Sequence, residues 1–328
     1  LSDEEARFFS DHDPLGFILF KRNCESPAQV RALIADLRAS IGRDDAPVLI
    51  DEEGGRVQRL GPPAWPDFPA AQKYREHAET DEDEAIDLAR RAAMAQASQL
   101  SGMGFTVNAA PVLDLWVSGA SAVVGERSYA SKGDMAARFG AAVIEGLMAG
   151  GVMPIIKHFP GHGRATVDSH VGLPHIDVRI EHLRGTDFAP FVALKDCPWG
   201  MVGHLLLTKV DDRHPASCSP VVIDEIIRAE LGFEGLLLSD DLSMGALDGG
   251  LGDRAAAAIA AGCDIAVHCN SVMDEMEQVA DRVGPMTAEA VQRLADGWSV
   301  FAEREGGHGR IDDVAGEVAM IVQTLANA

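Results

Sequence analysis

No run in this chain of 328 residues approaches the ~18 consecutive apolar residues that a membrane-spanning helix requires, so no such helix is expected. Nothing at its start reads as a signal peptide, and a cytoplasmic protein is the expectation; the chain begins at Leu1 rather than Met, so upstream residues are expected and a cleaved leader stays open. Cysteine is scarce and odd in number: Cys24, Cys197, Cys218, Cys263 and Cys269 show no C-x-x-C spacing. That excludes a disulfide framework and a zinc knuckle and leaves five reduced thiols. Basic residues are also few. With 28 Lys and Arg against 51 Asp and Glu the net charge is −23, which speaks against nucleic acid, anionic membrane or polyphosphate as a partner, because each needs a basic face. The bland meaning of that charge is a solvated acidic surface. No Pro/Ser/Gly-rich linker, charge block or low-complexity stretch interrupts the chain, so residues 1–328 read as one domain, with helices over about 286–327 packing on it. The 47% hydrophobic content is enough for a large core.

What is present is alternation. Strand-like runs at Gly16–Phe20, Pro47–Asp51, Phe105–Ala109, Val152–Ile156, Gly200–His204, Gly235–Ser239 and Asp264–His268 interleave with helical stretches near 27–41, 83–101, 133–149, 183–195, 221–231, 253–261 and 272–282. Seven β–α units in series predict a parallel sheet covered by helices. A doubly wound sheet has the same alternation, but no G-x-G-x-x-G follows the first strand. Polar residues follow nearly every strand instead: Lys21-Arg22-Asn23, Asp51-Glu52-Glu53, Asn108, Asp114, Lys157-His158, His204, Asp240-Asp241 and His268-Cys269-Asn270. In a (β/α)8 TIM-type barrel all these ends converge on the face that carries the active site, and this α/β barrel is the predicted fold.

Two segments carry the chemistry. Lys157-His158-Phe159-Pro160-Gly161-His162-Gly163, followed by Asp168-Ser169-His170, concentrates basic groups in an otherwise acidic chain and reads as a strand running out into a structured loop. Gly235-Leu-Leu-Leu-Ser-Asp240-Asp241 leads three leucines into two carboxylates, and a carboxylate at the lip of an apolar strand is rigidly aimed, as a nucleophile must be. The alternative for this pair is that one aspartate caps the following turn while the other binds a cation. Asp168 two residues before His170 can fix that imidazole's tautomer and raise the basicity of its other nitrogen, although isolated Asp-His pairs are often structural. His158 and His162 have i, i+4 spacing, but Pro160 and Gly161 forbid the helix that would align them for zinc, and no metal is predicted. His204 reads more readily as a pocket or core hydrogen-bonder than as a catalyst, Glu126 as the partner of a nearby arginine, and Trp116 equally as a sugar-stacking face or as core.

Asp51-Glu-Glu-Gly-Gly-Arg-Val-Gln-Arg59, Gly125-Glu-Arg-Ser-Tyr129, Lys157-His-Phe-Pro-Gly-His-Gly163 with Asp168-Ser-His170, and Ser239-Asp-Asp-Leu-Ser-Met244 together resemble family 3 glycoside hydrolases, specifically bacterial β-N-acetylglucosaminidases (β-hexosaminidases) of peptidoglycan recycling. The similarity runs in order from Leu1 to about Asn270. It implies a single (β/α)8 barrel, Asp240 as nucleophile, His170 oriented by Asp168 as acid/base, and Asp51, Arg59, Arg127, Lys157 and His158 holding a terminal N-acetylglucosamine; His204, from its place after a strand, is taken as a further substrate-binding residue. It also implies no cofactor, a monomer, and a carbohydrate substrate of the muropeptide type, N-acetylglucosamine β-1,4-linked to 1,6-anhydro-N-acetylmuramic acid. Two departures stand out. The family's usual Asp-Gln-Glu-Gly-Gly reads Asp51-Glu52-Glu53 here, which places an extra carboxylate beside a sugar-binding aspartate; and the family's first barrel strand falls before Leu1, leaving seven strands where eight are expected.

Retaining hydrolysis needs a carboxylate on one face of the anomeric carbon and an acid on the other, with the two groups about 5–5.5 Å apart. A histidine acid is neutral after giving up its proton and so does not repel the anionic nucleophile. Gly161, Gly163 and Gly172 bracket the His170 loop, which is expected to move when sugar binds. Rival readings are a glycoside phosphorylase using the same residues, a metal-dependent barrel hydrolase and a non-catalytic sugar-binding barrel.

Overall fold

The computed structural model describes residues 1–305 and 310–326. The chain divides into two compact units: Leu1–Ala110, Ala142–Pro154 and Arg304–Ala328 form the first, Pro111–Ala141 and Ile155–Glu303 the second.

The first unit contains β1 (Phe17–Leu19), β2 (Val48–Ile50), a hairpin of β3 (Glu52–Gly54) and β4 (Val57–Gln58), β5 (Val107–Asn108), and the opening of β6 (Met153–Phe159). β1 pairs with β2, β2 with β5, and β5 with Met153 and Pro154 of β6, all parallel. Every residue of β2 is buried, as expected of a parallel strand covered on both faces. The helix Pro27–Ile41 starts where Ser26 accepts the Gln29 N–H and Pro27 supplies a preset φ, and it stops at Gly42 in the left-handed region (φ 67°). Asp81 caps the long helix Glu82–Ser101, whose first turn is acidic and whose buried face, Ala85, Leu88, Ala89, Ala92 and Ala93, widens to take in all of Ala95–Ser98. The helix Val314–Ala326 packs against it through an Arg91–Glu317 ion pair of 2.7 Å.

The second unit holds the remainder of β6, β7 (His175–Ile176), β8 (Trp199–Val202), β9 (Leu206–Leu207), β10 (Leu236–Asp241) and β11 (Ile265–Val267). β6, β8, β10 and β11 lie side by side in that order, all parallel, and β7 pairs with β9 apart from them. Phe159 packs between Phe191 and Phe233 at 4.5 and 4.7 Å between ring centroids. All three rings are fully buried, contributing about 1.5–3 kcal/mol each. Asp264 accepts from Arg228 (2.9 Å), Arg293 (2.7 Å) and the Leu237 N–H (2.8 Å), tying the helix Ala288–Glu305 to the entry of β10.

The parallel α/β reading holds, and every strand expected from the sequence has its counterpart. A closed eight-stranded barrel is not what the ladders make: seven parallel strands carry it among the described residues, and β1 and β11 each pair on one side only. β6 runs further than the sequence suggests, because Lys157 and Phe159 pair with Met201 and Val202; Lys157 and His158 therefore lie on the strand and not in the loop after it. The helix expected near 183–195 is two short ones, Ile180–Arg184 and Ala189–Ala193, since Gly185 ends the first and Pro190 opens the second. Among the described residues no helix is long and apolar enough to cross a membrane.

Candidate active site

Asp240 is the penultimate residue of β10 and 8% exposed. Its Oδ1 accepts the Asp241 N–H at 2.8 Å. Burial works against its ionisation, yet His158, His204, that N–H and Lys157 outweigh burial and hold the carboxyl below the usual aspartate range. Asp241 points elsewhere. It accepts from Ser243 N (2.9 Å), Ser243 Oγ (2.5 Å) and Cys269 N (3.1 Å), so the second carboxylate caps the turn that leaves the strand.

Lys157 and His158 reach the same unit on β6, both buried. The segment before them runs alongside β6 through a Val112–Lys157 bridge and a Leu113 N–H to Lys157 carbonyl bond of 2.7 Å, and it delivers Asp114. Asp114 is the hub of the basic cluster. Its carboxylate accepts from His158 Nδ1 (2.6 Å), the His162 N–H (2.6 Å) and the His158 N–H (3.4 Å). Complete burial would raise its pKa, but the two histidines more than reverse this and take it to about 2. Arg127, at the end of the one-turn helix Gly125–Arg127, places Nη2 3.4 Å from His158 Nε2. A guanidinium can only donate, so this contact makes Nε2 the acceptor and Nδ1 the donor to Asp114. His162 is 3% exposed, with neither ring nitrogen hydrogen-bonded to a described residue; burial takes its pKa down to about 4, so the ring is neutral at pH 7. Only glycine fits at 163, because a Cβ there would sit 2.2 Å from the Leu115 carbonyl oxygen.

His204 is fully buried. One ring nitrogen donates to the Asp241 carbonyl (2.9 Å) and the other meets Ser217 Oγ (2.7 Å). Both nitrogens are thus committed to the protein, and burial pushes the pKa down. With both nitrogens so engaged, His204 braces the backbone beside Asp240.

Asp168 and His170 form the expected dyad. Asp168 Oδ1 takes both the His170 backbone N–H (2.9 Å) and the ring Nδ1 (2.8 Å), which leaves Nε2 outward. Partial burial of Asp168 opposes ionisation, but these two bonds and the neighbouring histidines prevail and lower its pKa. The side chains of His170 and Asp168 are 63% and 41% exposed. Their loop is tied to the turn after Asp240, Gly245 N–H donating to the His170 carbonyl (3.3 Å) and Ala246 N–H to that of Ser169 (3.0 Å). In the same unit, Leu115–Val117, Gly119–Ala122, Val124, Gly125 and Gly163 line a cleft of about 270 Å³, where Trp116 is 41% exposed and so offers a face.

Asp51 and Arg59 belong to the first unit, where they are ion-paired at 2.9 Å. The Arg59 guanidinium lies 5.1 Å from the Phe20 ring centre and that of Arg22 lies 4.7 Å from it. Glu52, whose orientation was open in the sequence, points inward and is completely buried.

The second unit therefore gathers Asp240, Lys157, His158, Arg127 and the Asp168–His170 dyad. Sequence reasoning named Asp114 only as a polar residue after a strand and His162 only for zinc, and it did not single out Ser217. A lone carboxylate inside the apolar run Ala109–Leu115 was the available signal for Asp114. Among the described residues no three His, Cys, Asp or Glu side chains are grouped to hold a metal ion.

The glycosyl hydrolase family 3 N-terminal domain matches residues 1–296. The chain is 39% identical over 273 residues to a β-hexosaminidase of Pseudomonas aeruginosa, covering 82% of this chain and 79% of that one. It is 35% identical over 302 residues to the β-hexosaminidase of Idiomarina loihiensis, covering 90% and 88%. The crystal structure of NagZ from Neisseria gonorrhoeae in complex with N-trifluoroacetyl-D-glucosamine superposes with a TM-score of 0.86 at 31% identity, over 99% of this chain and 95% of that one.

Proposed function

The chain belongs to glycosyl hydrolase family 3, and from that premise we propose that it is a retaining exo-β-N-acetylglucosaminidase that removes terminal N-acetylglucosamine through a covalent glycosyl-Asp240 intermediate. The observation that carries this reading is a buried Asp240 carboxylate held ionised at the end of β10, in one unit with an Asp168–His170 dyad whose loop hangs on the turn after it.

In this proposal an Asp240 oxygen attacks the anomeric carbon while His170 Nε2 gives its proton to the glycosidic oxygen, so the C–O bond breaks and the aglycone leaves as an alcohol. Asp168 stabilises the imidazolium before the transfer. The neutral imidazole then takes a proton from water, whose oxygen displaces Asp240 and releases the β-configured sugar. Asp240 is a good nucleophile because it is ionised yet poorly solvated. Lys157, His158, whose ring Asp114 orients, and Arg127, which meets that ring, are proposed to hold the sugar hydroxyls, and Asp51 and Arg59 are proposed for the same task by their match to the family pattern. A muropeptide substrate, a cytoplasmic monomer, one domain over residues 1–328 and the family's complete barrel belong to the same reading, as does chemistry without metal or cofactor.

The test is hydrolysis of a chromogenic β-N-acetylglucosaminide by the wild type, Asp240→Ala and His170→Ala, with and without phosphate, followed by NMR. Loss of at least ~1,000-fold in kcat for Asp240→Ala, with the β-anomer released first, is expected. Wild-type rates in that variant, or an α-anomer released first, would sink the assignment; a sugar-1-phosphate product would replace hydrolysis by phosphorolysis.

A further inference from the structure

We propose that Glu52 works as an uncharged carboxylic acid, an amide stand-in that positions the Arg59 turn, so that sugar binding fails when this group ionises. The proposal rests on the reading of Arg59 and Asp51 as sugar-holding residues given above.

The geometry is that of a clamp. Glu52 is completely buried. Its main chain is fixed from both sides by Asn108, whose Oδ1 accepts the Glu52 N–H and whose Nδ2 donates to the Glu52 carbonyl, each at 2.9 Å. Its side chain crosses the β3–β4 hairpin, and Oε2 alone accepts the N–H groups of Arg59 (2.9 Å) and Leu60 (3.2 Å). The backbone of Arg59 is held by Glu52 while its guanidinium is held by Asp51. A charge on Glu52 would sit in a dry site beside Asp51, and relieving it by admitting water or by drawing the Arg59 guanidinium away from Asp51 would displace the Arg59 side chain.

The second carboxyl oxygen decides the charge state. Oε1 is buried and makes no hydrogen bond to a described residue. Either form leaves that atom without a partner, but an uncompensated charge costs far more to bury than a neutral hydroxyl, so the site favours the protonated acid, whose other oxygen accepts as an amide's does. The facing charged and titratable groups are few. Arg59 favours ionisation, but its guanidinium already pairs with Asp51; Asp51 disfavours it; the Cys24 thiol, kept neutral chiefly by its own burial, supplies no charge. Burial dominates and raises the Glu52 pKa to about 8 against the pull of the two N–H groups. The family pattern has glutamine here, which an uncharged acid reproduces in shape and in accepting oxygen.

The experiment compares wild type, Glu52→Gln and Glu52→Leu. KM and kcat for the chromogenic substrate are followed across the titration, and the urea midpoint is measured at about pH 6 and about pH 9. With the ionised form unable to bind, wild-type KM rises about tenfold one pH unit above the transition, while kcat changes little. Glu52→Gln keeps the low-pH KM throughout and its midpoint does not fall between the two conditions, as that of the wild type does. Glu52→Leu, which cannot accept from Arg59 and Leu60, has a raised KM at every pH. An alkaline rise in KM that persists unchanged in Glu52→Gln overturns the proposal, as does a wild-type KM that stays flat through the transition. If the Gln variant does not fold, infrared spectra of the wild type decide: a protonated-acid carbonyl band lost on alkalisation supports the proposal, and its absence near neutral pH refutes it. Should the wild type turn over no β-N-acetylglucosaminide at any pH, the proposed function fails, while the midpoint and infrared readings still judge the charge on Glu52.

Discussion

Replacing Asp114 tests how much of the basic cluster is organised by one buried carboxylate. In Asp114→Ala the His158 Nδ1–H and the His162 N–H, both now 2.6 Å from an Asp114 oxygen, lose their acceptor in a water-poor interior. Each orphaned buried donor costs about 1–3 kcal/mol, so the variant should lose about 3–5 kcal/mol, in line with breaking one side of a buried pair. The pH dependence gives a second figure. Taking the Asp114 pKa from 3.8 to about 2 is worth about 2 kcal/mol of stability, fully present above 3.8 and lost as pH falls through 2. Asp114→Asn is the sharper probe of function. If its amide oxygen keeps the His162 N–H, its NH2 faces His158 Nδ1–H; should the ring answer by changing tautomer, Nε2–H would confront Arg127. Sugar affinity should therefore fall even where the fold survives. Urea unfolding at about pH 7 and about pH 3, with hydrogen exchange at the His162 amide, reads the stability. Steady-state kinetics reads KM. Asp114→Ala with an unchanged midpoint, or a stability deficit that does not shrink on acidification, would refute the reasoning.

Other perturbations follow from the same contacts. His204→Phe should remove two buried hydrogen bonds, leaving the Asp241 carbonyl with the Met244 N–H alone, at a cost of about 1–3 kcal/mol in unfolding free energy, and should lower kcat more than it raises KM; kinetics equal to wild type would remove His204 from the support of Asp240. Gly245→Ala would put a Cβ 2.8 Å from the His170 carbonyl, so the loop that carries His170 must shift and kcat should drop at least ~10-fold with little change in the unfolding midpoint; an unaffected kcat would show that this contact does not set the position of His170.

The parallel strands were readable because each is a short apolar run with a polar exit, and those exits marked Lys157, His158 and Asp240. The Asp168–His170 dyad was readable because two residues of spacing let one carboxylate meet both backbone and ring of the same histidine. Barrel closure was not readable, since a count of strands says nothing about which edges pair. Nor were the pairings of His204 and Asp114, because hydrogen bonds across 37 and 44 residues leave no trace in local pattern. The inward turn of Glu52 was hidden for a related reason: alternation puts consecutive carboxylates on opposite sides, but not which side is the interior.

The two proposed reacting groups sit in opposite surroundings, Asp240 locked into a buried strand end and His170 largely in solvent on a loop. A change at Asp240 must be absorbed by neighbours on several strands, so few replacements survive selection. The His170 end of its loop is tied to the turn after Asp240 through main-chain bonds, which ask little of the side chains of Ser169 and His170 themselves. Descent with modification would then keep the nucleophile and reinvent the proton donor, making the loop the place where relatives on this scaffold diverge in leaving-group preference.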